Sequence, residues 1–223
     1  MMGEDQETQV WRAAAALPIF PLSGALLLPR GQLPLNIFEP RYLNMIEDAL
    51  AGECMIGMVQ PVEPETDPVS ETAELFAVGC VGRITSFSET EDGRNLITLS
   101  GACRFRVAEE LDGGRGYRRV RAALDEFAGD LDDAAGAVAN RRHLLDAVRA
   151  YFNLNGIEVE WAALTGTADD PLVTALAMVC PFDPSEKQAL LESPGLAERA
   201  ELLTAMMEMA LRDAKGVSTA VRH

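Results

Sequence analysis

The sequence predicts an α+β fold in which a compact, mostly β first half is followed by a helical second half. Up to about residue 128, short apolar segments alternate with proline and glycine, which is typical of strands joined by turns. Beyond that point apolar residues recur three and four positions apart, the spacing of amphipathic helices. With 223 residues, 48% of them hydrophobic, the chain is long enough for one large or two small domains.

The segment 17–42 organises the β half. A continuous helix is excluded by Pro18, Pro21, Pro29 and Pro34, because each fixes φ and lacks a backbone N–H. Leu33, Leu35 and Ile37 alternate with other residues, which predicts a strand at the wall of a core. Pro40 then pre-sets the first turn of a helix predicted to end at about residue 51.

Further strands are predicted from apolar runs and from alternation. Asp92-Gly93 is a strong hairpin signal, and Gly79 and Gly82 indicate a bulge or tight bend of a small barrel. The predicted strands cover residues 55–60, 75–88, 96–99, 103–107 and 117–127.

The second half contains only helical patterns. Ser185 with Gln188 predicts a capping box, and Lys215-Gly216 a helix end. Helices are predicted around residues 144–155, 158–164, 169–180, 185–192 and 196–214, and residues 1–15 form a tail or a short helix. The expected organisation is a tail over 1–15, a β subdomain with one inserted helix over 16–128, a helical subdomain over 129–216 and a tail over 217–223.

Three stretches resemble the Lon protease N-terminal (substrate-binding) domain family. The opening signature is PIFPLSGALLLP followed by PLNIFEPRY, the central elements are GCVGRI and EDGRNLITLSGACRFRV, and the C-terminal helices are EKQALLE and ERAELL. The resemblance implies a PUA-like β pseudobarrel followed by a C-terminal helical bundle. It also implies a stand-alone member of that family, without the ATPase and peptidase domains.

The charge balance disfavours nucleic acid and membrane partners. There are 19 Lys and Arg against 35 Asp and Glu, a net charge of −16, which repels phosphate backbones and anionic lipid surfaces. One basic cluster surrounds Tyr117, formed by Arg115, Arg118, Arg119 and Arg121. A solvated strand face is favoured over RNA contact there. The acidic N-terminus and the lack of a long apolar run predict a cytoplasmic protein with no membrane span.

Known catalytic patterns are missing from the sequence. Lys187 is followed by Gln and Lys215 by Gly, so neither completes a P-loop. Ser185 and Lys187 are two residues apart on one helix and face different ways, so they do not form a dyad. His143 is expected to be a partly exposed helix residue. The four widely spaced cysteines predict buried free thiols without zinc. No catalytic residue, metal or cofactor is therefore expected.

A peptide-binding surface is the candidate site. In an extended piece Leu27 faces opposite to Leu26 and Leu28, so one side is expected to present apolar surface. The structural alternative is that Glu39 or Arg41 fixes the strand-to-helix corner with Tyr42 packed beneath it. The candidate peptide- or partner-binding residues are Leu27, Pro29, Leu33, Leu35, Glu39, Arg41 and Tyr42.

Three functions are compatible with these observations. The favoured hypothesis is a non-catalytic module that binds peptides or unfolded protein, as an adaptor or holdase in protein quality control. The alternative is a structural interaction module that self-associates, for example as a homodimer, or docks one partner without binding clients. ATP-dependent proteolysis is the third, and only the family name suggests it.

Overall fold

A computed structural model describes residues 4–63, 69–112, 114–132 and 136–220. The chain forms two compact units, one from Met1–Ala134 with Met178–Glu192 and one from Ala135–Ala177 with Ser193–His223. The first unit is mainly β and the second is helical, so the predicted α+β class is confirmed. The subdomain limits at residues 128 and 216 stay predictions.

The elements follow the predicted order. Strands and helices are α1 (Glu4–Ala14), β1 (Leu17–Pro21), β2 (Gln32–Ile37), α2 (Pro40–Ala51), β3 (Met55–Val59), β4 (Val78–Glu89), β5 (Asn95–Leu111), β6 (Arg118–Ala123), α3 (Arg141–Asn155), α4 (Trp161–Gly166), α5 (Asp169–Val179), α6 (Pro184–Glu192) and α7 (Leu196–Ala220). A 3-10 helix, Asp125–Leu131, follows β6. The strand predicted over 117–127 is therefore wrong beyond Ala123, where the chain turns into that short helix.

The six strands form one closed sheet. Their order is β2-β5-β4-β3-β1-β6, and the 17-residue β5 closes the barrel by also pairing with β6. All pairings are antiparallel except that between β1 and β3. β2 pairs only with β5 among the described strands, so it is an edge strand attached to the barrel. The barrel core is filled by side chains such as Leu17, Ile19, Ile56, Leu99 and Phe105, all fully buried.

Glycines in β4 and β5 lie where other groups approach the sheet closely. A β-bulge separates Val81 from Gly82, as the sequence predicts. A Cβ added at Gly101 would lie 1.9 Å from the backbone oxygen of Leu28. The backbone of Gly101 also exchanges hydrogen bonds with the loop, donating to the Gly31 oxygen at 2.9 Å and accepting from the Arg30 amide at 2.8 Å. The β1–β2 connection is thereby held against β5.

The second unit is built from amphipathic helices. α3 buries Leu144, Val148, Tyr151 and Phe152 and ends at Gly156, whose φ of 65° matches the predicted stop. α3 packs against α7. His143 is exposed on α3, and its Nε2 lies 2.8 Å from the Glu208 carboxylate on α7.

Two predictions about the late helices are wrong. α7 does not end at Lys215-Gly216 but continues to Ala220, since one internal glycine costs a helix only about 1 kcal/mol. α6 begins at Pro184, and the Asp183 amide donates to Glu186 at 2.9 Å, so the expected capping box of Ser185 and Gln188 does not form. Gln188 is instead buried.

Two further predictions concern the burial of the cysteine thiols and membrane-spanning helices. All four cysteines are free; Cys80, Cys103 and Cys180 are buried, whereas Cys54 is only half-buried, so its predicted burial is wrong. Burial, and then the charge of Asp130, raise the pKa of Cys103 to about 12. Within the described residues, no helix combines the length and apolar character needed to cross a membrane.

Candidate functional site

The predicted exposure of the leucine segment is wrong. Leu26, Leu27 and Leu28 are all buried, with Leu27 only 1% exposed, and Pro29 is buried as well. Alternation fails because residues 22–31 form no strand and follow an irregular path over β4 and β5. The Leu27 side chain reaches a point 2.8 Å from where a Gly82 Cβ would stand. Leu27 and Pro29 therefore belong to the core and offer no peptide surface.

Glu39, Arg41 and Tyr42 form the structural contacts expected at the strand-to-helix corner, which is the alternative to a peptide-binding role. Arg41 Nε donates to the Glu39 carboxylate at 3.0 Å, and a terminal guanidinium nitrogen of Arg41 donates to the Val69 oxygen at 2.7 Å. Tyr42 is buried beneath, with its ring 4.4 Å from the Phe20 ring centroid. The Arg41 guanidinium also covers the Tyr42 ring at 4.6 Å. These contacts fix the angle at which β2 enters α2.

Leu33 and Leu35 remain half-exposed on one face of β2. Leu35 is paired with Ile97 on β5, and Ile97 with Phe87 on β4, so the three side chains form one row across three strands. Ile97 is buried in the middle of this row, whereas Phe87 is 46% exposed at its end. The predicted strand face thus leads to an exposed aromatic ring.

A groove with mixed apolar and polar walls lies between α2 and the β4–β5 hairpin, with a volume of about 370 Å³. Its apolar side chains are Leu43 and Leu50 from α2 and Phe87 from β4. Glu47 and Glu89 stand on opposite sides as its acidic rim. Polar groups of Asn44, Gly93 and Asn95 complete the lining.

The hairpin that carries Phe87 extends past the body of the barrel. Every β4 residue after Ile84 is exposed. Its turn is closed by a hydrogen bond from the Thr90 amide to the Arg94 oxygen at 2.9 Å, with Gly93 at a φ of 78°, as expected for the predicted hairpin. Leu96 lies on the opposite face of the same hairpin and is 45% exposed.

The rim of the groove is negatively charged. Arg115 pairs with Glu47 at 2.7 Å and with Asp48 at 2.8 Å, which neutralises part of the α2 side. The Tyr117 hydroxyl and then Arg115 hold the pKa of Asp48 below its ordinary value by hydrogen bonding to the carboxylate. Glu89 is exposed on the hairpin side. The chain as a whole carries −16, so the surroundings favour cationic ligands.

Sequence reasoning missed the α2 and hairpin side chains of the groove. The sequence patterns predict a strand for Phe87 and a helix for Leu43, Glu47 and Leu50, but no functional role for them. One signal was available: Phe87 is an aromatic residue among Thr, Ser and Glu in a strand that leads to a hairpin turn. Such a residue beyond the core pattern is a candidate for surface contact.

The structure also bears on the predicted absence of a metal site and on the predicted arginine cluster. Among the described residues, no three His, Cys, Asp or Glu side chains are grouped so that they could hold a metal ion. In the arginine cluster, Arg118 pairs with Glu110 and Arg121 with Glu109, each at 2.7 Å. Arg119 bonds through a terminal nitrogen to the Asp112 backbone oxygen at 2.9 Å.

Comparison with known proteins identifies the family. The ATP-dependent protease La (LON) substrate-binding domain matches residues 16–209. The chain belongs to this family. Solved Lon N-terminal domains have a PUA-like fold, so the predicted PUA-like pseudobarrel with C-terminal helices is confirmed.

Relatives of this LON-family chain are longer proteases. It is 27% identical to the Lon protease of Escherichia coli (strain K12) over 195 residues, which cover 86% of the chain and 24% of that protein. It is 24% identical to the Lon protease of Dictyoglomus thermophilum over 203 residues, 91% of the chain and 25% of that protein. The chain thus spans about a quarter of the length of these curated relatives, and the match lies in the substrate-binding domain.

Two solved structures share the fold. The Lon N-terminal domain protein from Xanthomonas campestris matches with a TM-score of 0.58 and 25% identity, covering 85% of this chain and 97% of that one. The N-terminal domain of Mycobacterium avium complex Lon protease also has a TM-score of 0.58, at 16% identity, covering 86% of this chain and 98% of that one.

Proposed function

We propose that this LON-family chain binds unfolded polypeptide segments in the groove between α2 and the β4–β5 hairpin. The observation that carries the proposal is the exposed Phe87 ring, which faces Leu43 and Leu50 across an open cavity. An aromatic side chain offers a large apolar contact area with few rotatable bonds, and such residues dominate binding energies at interfaces. Membership of a substrate-binding domain family supports the same role.

The charge at the rim of the groove influences which polypeptide segments bind. Glu89 is exposed on the hairpin side of the groove, whereas Glu47 on the α2 side is paired with Arg115, so a bound segment with an aromatic or aliphatic anchor is favoured when Lys or Arg lies next to Glu89. Acidic segments are disfavoured by Glu89 and by the charge of −16. Because both glutamates face solvent, this selection weakens as salt is raised.

In the proposed biological role the chain binds polypeptide segments and does not catalyse a reaction on them. In this proposal the chain holds exposed apolar segments of cytoplasmic proteins as an adaptor or holdase in protein quality control. The peptide occupies the groove through side-chain burial, and dissociates unchanged. Leu33 and Leu35, half-exposed on the adjoining sheet face, extend the apolar contact to residues that flank the anchor.

Fluorescence anisotropy with labelled peptides tests the proposal. One peptide carries two phenylalanines flanked by lysines, and its counterpart carries glutamates in place of the lysines. The basic peptide is expected to bind saturably and the acidic one at least about tenfold more weakly. Phe87→Asp should abolish binding of the basic peptide, because it places a charge in the apolar contact.

Leu96→Asp is the matched control. Leu96 has nearly the same exposure as Phe87 but lies on the opposite face of the hairpin, so its replacement should leave peptide affinity unchanged. Equal losses in both variants, or no saturable binding by the unaltered chain, would reject the groove. The alternative of self-association predicts a dimer that persists on dilution and that Phe87→Asp dissociates. Sedimentation velocity across a dilution series distinguishes the two.

A further inference from the structure

Asn95 lies in the lining of the groove between α2 and the β4–β5 hairpin. It pairs with Ile37 on β2 and with Glu89 on β4, so these three residues form one row across the sheet. Side chains two residues apart on a strand share a face, so this row lies beside the row that ends at Phe87. The two rows are about 7 Å apart along the strands.

The side-chain amide of Asn95 has no partner among the described residues, unlike the other amide of the lining. Asn44 on α2 donates to the Arg115 backbone oxygen and accepts from the Arg115 guanidinium, each at 3.0 Å. Glu47 is paired with the same arginine at 2.7 Å. Asn95 makes no side-chain hydrogen bond within the described part of the chain, and neither its oxygen nor its nitrogen is buried there. Both atoms are therefore accessible to a ligand in the groove.

This accessible amide matches the main chain of an extended polypeptide. A carboxamide has one acceptor oxygen and two donor hydrogens, and a peptide unit has one N–H donor and one C=O acceptor. In a helix these main-chain groups bond to each other, whereas in an unfolded segment they have no intramolecular partner. The exposed Glu89 carboxylate only accepts, so it does not pair with a main-chain carbonyl.

The spacing of the two rows fits an extended ligand as well. An extended segment advances about 3.3 Å per residue. When such a segment runs along the hairpin with an apolar side chain on Phe87, a main-chain group two residues from that anchor lies opposite Asn95.

We propose that Asn95 makes the groove selective for extended segments, by donating to a carbonyl oxygen and accepting from an N–H of the bound main chain. This inference rests on the proposed function, because the same segment is anchored on Phe87. A helical segment with the same side chains bonds its main-chain groups internally and leaves Asn95 without a partner. Main-chain contacts do not depend on the side chains of the ligand, so they suit the binding of unfolded segments of varied sequence.

Peptides with altered main chains test the selectivity by fluorescence anisotropy. The parent is the peptide with two phenylalanines flanked by lysines, and in each member of a series one main-chain nitrogen carries a methyl group. Methylation removes one N–H and leaves every side chain and charge unchanged. One methylated position within two residues of a phenylalanine is expected to weaken binding by about fivefold to tenfold. The same sequence held helical by a side-chain lactam should bind at least about fivefold more weakly than the parent.

Two variants show whether Asn95 is the group that contacts the main chain. Asn95→Leu keeps the approximate volume but removes the donor and the acceptor, so it should weaken binding of the parent peptide by about fivefold to tenfold. It should also bind the methylated and parent peptides equally, which a purely steric effect of the methyl group would not produce. Asn36→Leu is the matched control, because Asn36 is exposed on β2 and pairs with Leu96 on the opposite face of the sheet. Its replacement should leave the affinity unchanged.

The outcomes separate this inference from the proposed function. Absence of saturable binding by the unaltered chain would overturn both. Binding that Phe87→Asp abolishes and Asn95→Leu leaves unchanged would overturn the main-chain contact alone. Discrimination against the methylated peptide that persists in Asn95→Leu, or equal affinities for the helical and parent peptides, would do the same.

Discussion

Arg104 and Asp130 form a buried two-point ion pair that joins β5 to the 3-10 helix. Each oxygen of Asp130 accepts a guanidinium hydrogen bond at 2.8 Å, and one also accepts from the Arg104 amide at 3.0 Å. Another guanidinium nitrogen donates to the Leu191 oxygen on α6 at 3.2 Å, and the guanidinium lies 4.8 Å from the Phe127 ring. Three elements of the first unit therefore converge on one side chain.

Removing one partner of this pair should destabilise the chain strongly. We expect Asp130→Asn to lower the free energy of unfolding by about 3–5 kcal/mol, because the buried guanidinium keeps its charge and loses its counter-charge. Urea denaturation followed by circular dichroism measures the change. Arg106→Met is the matched control, since Arg106 forms an exposed pair with Glu126 and should cost at most about 1 kcal/mol. Similar costs for the two variants would contradict this account.

Gly101 should not accept a side chain. A Cβ there would lie 1.9 Å from the Leu28 oxygen, which is a backbone atom and cannot rotate away. We expect Gly101→Ala to lower the free energy of unfolding by at least about 3 kcal/mol in urea denaturation, because the 26–31 segment must leave β5. Gly114→Ala, where no atom lies within 4 Å, is the control and should have little effect. A stable Gly101→Ala chain would show that the loop is not held as described.

Local patterns predicted most of the fold. The hairpin at Asp92-Gly93, the helix that begins at Pro40 and the stop at Gly156 all depend on residues whose backbone preference acts within a few positions. The end of α7 was predicted wrongly because a single glycine does not determine where a helix ends. A glycine at position 216 weakens a helix by a small amount, and a local pattern does not reveal whether the helix continues through it.

The candidate site was harder to predict because exposure is set by tertiary contacts. The Leu27 prediction assumed a strand with two faces, but the segment is irregular and one alternation rule does not apply. Leu33 and Leu35 were placed on a sheet face correctly, since period-two alternation depends only on the strand itself. Leu43, Leu50 and Phe87 meet only after α2 and the hairpin are folded together, and no sequence spacing encodes that meeting.

Gln188 provides a test of how α6 is held in the first unit. Its side-chain nitrogen donates to the Val78 oxygen at 3.1 Å and to Glu192 at 2.7 Å, and its oxygen accepts from Gln60 at 3.2 Å. Gln188→Met keeps the volume but leaves the Val78 oxygen and the Gln60 amide with fewer partners. We expect a loss of about 1–3 kcal/mol in unfolding free energy and faster hydrogen exchange in α6. Gln32→Met, which removes an exposed hydrogen bond to Ser100, should change the stability by less than about 0.5 kcal/mol.

Stability at alkaline pH should depend on the buried thiols. Burial raises the pKa of Cys103 and of Cys180 from 9.0 to about 12, so the folded chain holds both protons where the unfolded chain releases them. The contribution of each thiol to stability is therefore complete below pH 9.0 and is lost as the pH rises toward 12. The comparison is between the unaltered chain and the double variant Cys103→Ala and Cys180→Ala. Cys180 and Lys187 each affect the pKa of the other, so the single variant Cys103→Ala is measured as well to isolate the Cys103 contribution.

Urea denaturation at a series of pH values measures the difference in unfolding free energy between these two chains. We expect a constant difference from pH 6 to the ordinary thiol pKa of 9.0, and above it a relative loss by the unaltered chain of roughly 1 kcal/mol per pH unit and thiol. A thiol reagent gives an independent measurement at about pH 8, where half-buried Cys54 should react first and the buried thiols only after unfolding. A difference in unfolding free energy that stays constant up to about pH 11 would mean that the two thiols are not desolvated in the folded state.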